Sequence, residues 1–284
     1  MTDAVNPASV RVLSALIEAR TGQQISAARN WRMEASLKPV MREAGVATLD
    51  MLVGQVAGGR NEALTRRVVE ALLNNETSFF RDTAVFEQME REGLESLRKS
   101  RGGVRRLRIW SAACSTGQEP YSLAMMFRDA GARWAGWTID ILATDISASA
   151  VARAKVGRFS RFEIQRGLPV RTMLRWFREE GDEWSVDASL RRDIRFATHD
   201  VRDAAPGQFD LILCRNLLMY LAAPVRSLAF GRLADALDPC GILMLGAGET
   251  VIGQTDRLAS HPGMRGLYVA ASEVSQSPLR AASR

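Results

Sequence analysis

Histidine is nearly absent. The 284-residue chain holds only His199 and His261, so a histidine general base, a histidine-led triad or a histidine-rich metal site is poorly supplied. The three cysteines, Cys114, Cys214 and Cys240, are odd in number, far apart and without a CxxC pair. That pattern speaks against a disulfide framework or a zinc site. No apolar run approaches the roughly 18 residues needed to span a bilayer, and MTDAVNPASV lacks the basic-then-apolar layout of a secretory leader. There is no internal repeat, and only SQSPLRAASR at 275–284 reads as a flexible tail. These absences set the expectation of a cytoplasmic protein with neither metal nor membrane insertion.

A hydrophobic fraction of 46% and a charged fraction of 25% are ordinary for a globular chain with ample core. The net charge of +6 favours acidic partners without choosing among nucleic acid, anionic membrane and protein. Residues 1–80 read as a helical domain. Leu13, Leu16 and Ile17 recur at helical spacing, as do Val68/Val69 and Leu72/Leu73. Met33, Leu37, Val40 and Met41 share one face of a helix predicted over 27–43, flanked by Arg29 and Arg32 on one side and Lys38 and Arg42 on the other. A solvated surface explains that face; a partner-docking helix is the sharper reading. Residues 81–106 read as a connecting helix capped by Asp82, with Phe86, Met89 and Leu97 facing inward, running into a surface linker within RKSRGGVRRLR.

From 107 to 274 the pattern changes to alternating strands and helices. LRIWSAA, IDILATD, DIRFATHD, FDLILC, GILMLG and GLYVA read as strands. Helices are predicted over PYSLAMMFRDAG with Pro120 at its first position, over SASAVARAKVG between Ser147 and Gly157, over PVRTMLRWFREEG, and after Pro224. Such alternation predicts an α/β fold, a mostly parallel sheet with helices on both faces. Ligands in such sheets sit at the carboxyl ends of the strands. After the first strand comes ACSTGQEP, which is not GxGxxG: it offers Glu119 where a dinucleotide pyrophosphate would want more glycine. Asp145 ends the second strand, where an acid reaches ribose hydroxyls. Together they suggest a nucleoside ligand without a pyrophosphate, a description that S-adenosylmethionine fits. Arg215 and Asn216 follow FDLILC, with Tyr220 about one turn on. No Asn/Asp-Pro-Pro-aromatic element occurs there, which makes methylation of base amines less favoured.

NETSFFRD, WSAACSTGQEPYSLAM, ILATDIS and FDLILCRNLLMYL, in this order behind a helical domain, resemble the CheR family of chemotaxis receptor methyltransferases. The resemblance runs from about residue 10 to about 272 and implies a Rossmann-like methyltransferase fold, a doubly wound sheet behind a small all-α domain. It implies S-adenosylmethionine as cofactor, S-adenosylhomocysteine as product, and methyl transfer to glutamate carboxylates of chemoreceptors. It places cofactor contacts at Asn75, Thr77, Arg81, Glu119, Asp145, Arg215 and Asn216, with Arg81 and Tyr220 beside the transferred methyl. The family's usual Asn-Leu near the adenine is replaced by Asp200 and Val201, although an aspartate can still accept from an amino group. NNETSFFRD then reads as an active-site wall contributed from the helical side. Some members grip a receptor tail peptide through a glycine-containing β insertion. REEGDEWSVDASLRRDIRF is shorter and lacks that glycine pattern, so a tail-independent enzyme is expected, docking through its basic N-terminal helices onto the acidic helical region of a receptor. A monomer and no nucleic-acid partner complete the expectation. The rivals are the same fold acting on RNA or a small molecule, and a non-catalytic cofactor-binding regulator.

Overall fold

The computed structural model describes residues 6–25, 30–59 and 61–276. They fall into two compact units: one runs to Asn74 and takes in Tyr220–Val225, the other comprises Asn75–Met219 and the chain from Arg226 onward.

The first unit is built from α1 (Pro7–Thr21), α2 (Asn30–Glu43), α3 (Leu49–Ala57) and α4 (Glu62–Leu72). Asn6, Thr48 and Asn61 cap α1, α3 and α4 through their side-chain oxygens, each accepting an otherwise unpaired amide of the first turn. Leu13, Ile17, Leu37, Leu52 and Val68 form the core. Met33, Val40 and Met41 join it, so the apolar face predicted for α2 is buried, while Arg32, Lys38 and Arg42 are exposed. Arg29 lies outside the described residues. The segment 220–225 is bound into this unit by Gln24 N donating to the Tyr220 carbonyl (2.7 Å) and Ala222 N to that of Gly22 (3.1 Å).

The second unit opens with α5 (Thr83–Gln88), which passes through one π-helical turn, Met89–Gly93, into α6 (Leu94–Ser100). Phe86, Met89 and Leu97 are buried as expected. Then come β1 (Arg106–Ala112), α7 (Gln118–Asp129), β2 (Thr138–Asp145) and α8 (Ala148–Val156). A small excursion follows: β3 (Arg158–Ser160), α9 (Arg161–Gln165), α10 (Val170–Trp176), β4 (Phe177–Glu180), β5 (Glu183–Val186) and α11 (Ala188–Arg192). The chain closes with β6 (Ile194–Thr198), β7 (Phe209–Cys214), α12 (Ala223–Ala236), β8 (Leu237–Leu245), β9 (Leu258–Ser260), β10 (Leu267–Ala270) and α13 (Ala271–Gln276).

Seven strands form one sheet in the order β6-β2-β1-β7-β8-β10-β9. The five on the β6 side are parallel, and β10 runs antiparallel to both its neighbours. All six residues of β7 are buried, as a central strand covered on both faces requires. The order steps outward from β1 to β2 to β6, then returns to the other side of β1 for β7. That reversal opens a crevice at the carboxyl ends of β1 and β7.

Three local expectations are corrected. The helix predicted over 169–181 stops at Trp176, because Phe177 is drawn into an aromatic cluster with Phe79 (5.4 Å) and Phe159 (6.2 Å). Residues 177–180 then pair antiparallel with β5, and β3 adds on its other edge to make a three-stranded sheet. Cross-strand pairing and one buried aromatic override the helical preference of the acidic residues. Pro120 is the third residue of α7, not the first, since the helix already begins at Gln118. The run 98–108 is a surface linker only in part: residues 102–105 are exposed between α6 and β1, whereas Arg101 Nε pairs with Asp210 Oδ1 at 2.7 Å and its guanidinium also engages Asp238. Arg108 N donates to Asp210 Oδ2 at 2.7 Å. The basic cluster supplies the counter-charge for Asp210, whose side chain is 2% exposed.

Candidate active site

Loops from β1, β2 and β7 converge with the segment 75–82 at the carboxyl edge of the sheet. Beyond β1, Ala113 and Ser115 take positive φ (61° and 50°) and Gly117 reaches 96°. A Cβ on Gly117 would stand 3.0 Å from that of Ala154, so the turn needs a glycine to bring α7 this close. Glu119 lies in the first turn of α7 and accepts from Ser111 Oγ at 2.8 Å.

Asp145 ends β2. Its Oδ2 accepts Ser115 N (2.8 Å) and its Oδ1 accepts Ser147 N (2.9 Å), so it ties two strand ends together. Burial pushes its carboxyl upward, against the pull of those amides. Ser147 caps α8 through Ala150 N (3.1 Å), as the sequence suggests. The next strand is stitched on by His199 N donating to the Asp145 carbonyl (3.0 Å). Val201 is buried, and the Asp200 carboxylate accepts from Arg202 N (2.9 Å) and Nε (2.8 Å). Part of the acceptor capacity of Asp200 is therefore already in use.

The segment 75–82 is held at several points within this unit. Ser115 Oγ donates to the Asn75 carbonyl (2.8 Å) and Phe80 N to Ser122 Oγ (3.0 Å). Phe79 is fully buried and meets Phe159 edge to face at 5.1 Å. The Phe79 carbonyl lies so close to Gly167 that a methyl there would sit 2.1 Å from the oxygen. Asn75 and Thr77 are half-buried and line a pocket of ≈ 380 Å³ with Thr116, Gln118 and Arg153. Arg81 is half-buried and donates to the Glu76 carbonyl through Nη1 (3.0 Å). Asp82 precedes α5, yet makes no capping bond: its Oδ2 accepts from Arg215 Nη2 at 2.8 Å.

Arg215 joins these parts. Its side chain is 2% exposed, and beyond Asp82 it donates to Glu119 Oε2 (3.1 Å) and to the Arg81 carbonyl (2.6 Å). A fork of fixed donors is what spans three such partners. Asn216 follows at φ 58°. Arg215 Nε and Asn216 Oδ1 are buried without a hydrogen-bond partner among the described residues. Among the described residues, five of the six positive-φ residues other than glycine (Phe80, Asp82, Ala113, Ser115 and Asn216) stand in these loops, where backbone strain marks a site. Cys114 and Cys214 are buried beside the acids, and burial pushes both thiols well up, leaving them protonated and unsuited to nucleophilic work. Tyr220 ends a single 3-10 turn, Leu218–Tyr220, and belongs with the helical unit.

Comparison with known proteins places this geometry. Residues 75–266 match the CheR methyltransferase, SAM binding domain. The chain belongs to the CheR methyltransferase family. It is 35% identical over 252 residues to chemotaxis protein methyltransferase 1 of Pseudomonas aeruginosa, covering 86% of this chain and 90% of that relative. It is 33% identical to the chemotaxis protein methyltransferase of Vibrio parahaemolyticus, over 87% and 90% of the two chains. Chemotaxis protein methyltransferase Cher2 of Pseudomonas putida is 32% identical, over 84% of this chain and 89% of that one.

S-adenosylmethionine is the cofactor of this CheR protein, and the residues present fit it. The unpartnered Arg215 Nε and Asn216 Oδ1 give a buried donor and acceptor, and Glu119 offers a carboxylate to a cationic group. Among the described residues no helix is long and apolar enough to cross a membrane, and no group of His, Cys, Asp and Glu could hold a metal ion.

One supporting residue carries no sequence motif. Glu249, 9% exposed, accepts Asn216 N (2.8 Å) and Gly246 N (2.9 Å) on Oε2, and Met219 N (3.2 Å) on Oε1. Its carboxylate thus fixes the backbone of 216–219. Gly246 makes room for it: a Cβ there would lie 2.8 Å from Oε2. Glu249→Ala removes the acceptor for three amides and is expected to cost about 2 kcal/mol and to weaken S-adenosylhomocysteine binding, measured by denaturant unfolding and calorimetry. Glu249→Gln keeps one acceptor oxygen and is expected to recover part of both losses.

Proposed function

We propose that this CheR protein methylates glutamate side chains in the acidic helical cytoplasmic region of chemoreceptors. The observation that carries the reading is the buried Arg215 guanidinium, which joins Glu119, the Arg81 carbonyl and Asp82. It brings the three most family-like motifs into one cluster. Glu119, Asp145, Arg215 and Asn216 would hold the cofactor from the sheet side, Asn75, Thr77 and Arg81 from the opposing segment, and Asp200 and Val201 from beside the adenine.

Bound S-adenosylmethionine supplies a cation-activated methyl group. A substrate glutamate, with a reference pKa of about 4.3, is already an anion at neutral pH, so no general base is required. The poverty of histidine agrees with that chemistry. What the chain must do is position and desolvate the carboxylate. Arg81 would orient it through a paired hydrogen bond without holding it too tightly, since strong ground-state binding would slow transfer. Tyr220 would add a hydroxyl donor near the reacting groups. Exposed Arg32, Lys38 and Arg42 on α2 support docking against an acidic helix. Tail-independent recruitment is favoured by the β4–β5 hairpin: its strands pair as far as Glu180 and Glu183, leaving only Gly181–Asp182 as the turn. No longer glycine-bearing loop is available there to grip an extended peptide.

The experiment is site mapping by mass spectrometry after incubation with a receptor cytoplasmic fragment and S-adenosylmethionine. Methyl groups are expected on glutamates of the helical region, and removing the receptor's tail should leave the rate unchanged. Methylation confined to lysine or arginine would refute the acceptor; loss of transfer on tail removal would refute tail independence.

A further inference from the structure

The amino-terminal edge of the sheet, opposite the cofactor edge, carries a groove of ≈ 570 Å³ lined by Arg106, Arg108, Arg192 and Arg195, with Asp140 and Asp193. Its volume is that of a small-molecule site. Both aspartates are already neutralised: Asp140 Oδ2 accepts from Arg106 Nε (2.7 Å), and Asp193 is held by two bonds from Arg128, each 2.7 Å. Arg108 stands 3.6 Å from Asp210 and from Asp238, whose nearer counter-ion is Arg101. Arg192 and Arg195 are exposed, and neither forms a salt bridge among the described residues. A concave surface with this surplus of planar, permanently charged donors suits phosphate oxygens.

A second pocket of ≈ 360 Å³, lined by Trp134, Trp137 and Phe127, shares Ile139, Ile141 and Asp193 with the groove as common walls. Trp137 is half-buried and backed edge to face by Trp134 at 5.1 Å, which leaves it a supported aromatic surface. Guanidinium groups beside a supported indole make the pair of features on which a phosphorylated base is held. We propose that this groove is a nucleotide site separate from the cofactor crevice, taking phosphates on Arg192 and Arg195 and the base on Trp137.

The test uses the full chain saturated with S-adenosylhomocysteine, so that the cofactor crevice is closed to a nucleotide. GTP and inorganic pyrophosphate are titrated in by calorimetry. GTP is expected to bind, and the Arg192→Ala/Arg195→Ala double variant to bind it at least about tenfold more weakly, with S-adenosylhomocysteine affinity and thermal stability unchanged. Trp137→Leu is expected to weaken GTP by about fivefold or more and to leave pyrophosphate untouched. No binding at millimolar GTP, or equal binding by the double arginine variant, would overturn the site. Pyrophosphate binding as tightly as GTP, with Trp137→Leu silent, would overturn the nucleotide assignment. So would a polyglutamate peptide binding more tightly than GTP.

Discussion

Arg215→Ala is expected to abolish measurable S-adenosylhomocysteine binding and to lower stability by about 3 kcal/mol, toward the lower end of what removing one partner of a buried ion pair costs. The reason lies in what the guanidinium leaves behind. Glu119, with a side chain 11% exposed, loses its ion-pair partner, and Asp82, 30% exposed, loses the same guanidinium. Asp82 can turn to water, which keeps the cost below that of a fully buried pair. The Arg81 carbonyl also loses its donor, so the 75–82 segment is released on one side of the crevice. Arg215→Lys should fall between, because one ammonium cannot reach three separated acceptors. Denaturant unfolding and calorimetry read the two effects. An Arg215→Ala protein that bound S-adenosylhomocysteine normally would show that the cluster is structural alone.

Arg81→Ala is expected to behave differently, lowering kcat by about 100-fold or more while weakening S-adenosylhomocysteine binding by less than about tenfold. It is the backbone carbonyl of Arg81 that Arg215 grips, and alanine keeps that carbonyl. Only the side chain is lost, with its single bond to Glu76 and its remaining donors. If those donors orient the substrate carboxylate, the loss falls on turnover. Single-turnover rates with receptor fragment and saturating S-adenosylmethionine decide this, with Tyr220→Phe as the milder companion. Near-normal turnover in both variants, with cofactor still bound, would remove both residues from the reaction.

What was legible in the sequence follows what is local. Strand-helix alternation gives the parallel sheet. Reading the residues after each strand singles out Glu119, Asp145, Arg215 and Asn216, which the fold does gather at the carboxyl edge, where ligands of such sheets sit. A cap such as Ser147 needs only its own helix. Apart from Pro120, where the helix simply begins two residues earlier, the misreadings involve partners distant in sequence. Asp82 looks like a cap until Arg215 takes its carboxylate. Arg101 and Arg108 look like solvated linker cations until Asp210 and Asp238 draw them onto the sheet. Residues 177–180 look helical until Phe177 finds Phe79 and Phe159. Glu249 announces nothing, since two of its three amide donors, Asn216 N and Met219 N, come from a loop that meets it only in the fold. NNETSFFRD gains most from the structure: it reads as a wall reached from the helical side, yet from Asn75 onward it is bound into the α/β unit.

The central claim is that the acceptor is a glutamate carboxylate, and ester chemistry tests it most directly. The protein is incubated with methyl-labelled S-adenosylmethionine and the cytoplasmic helical fragment of a chemoreceptor, and the labelled fragment is then exposed to mild base. Release of the label as methanol, and its loss when the acceptor glutamates are changed to alanine, is the predicted result. Label that withstands base, or that appears on RNA or a small molecule and on no acidic receptor fragment, would contradict the account.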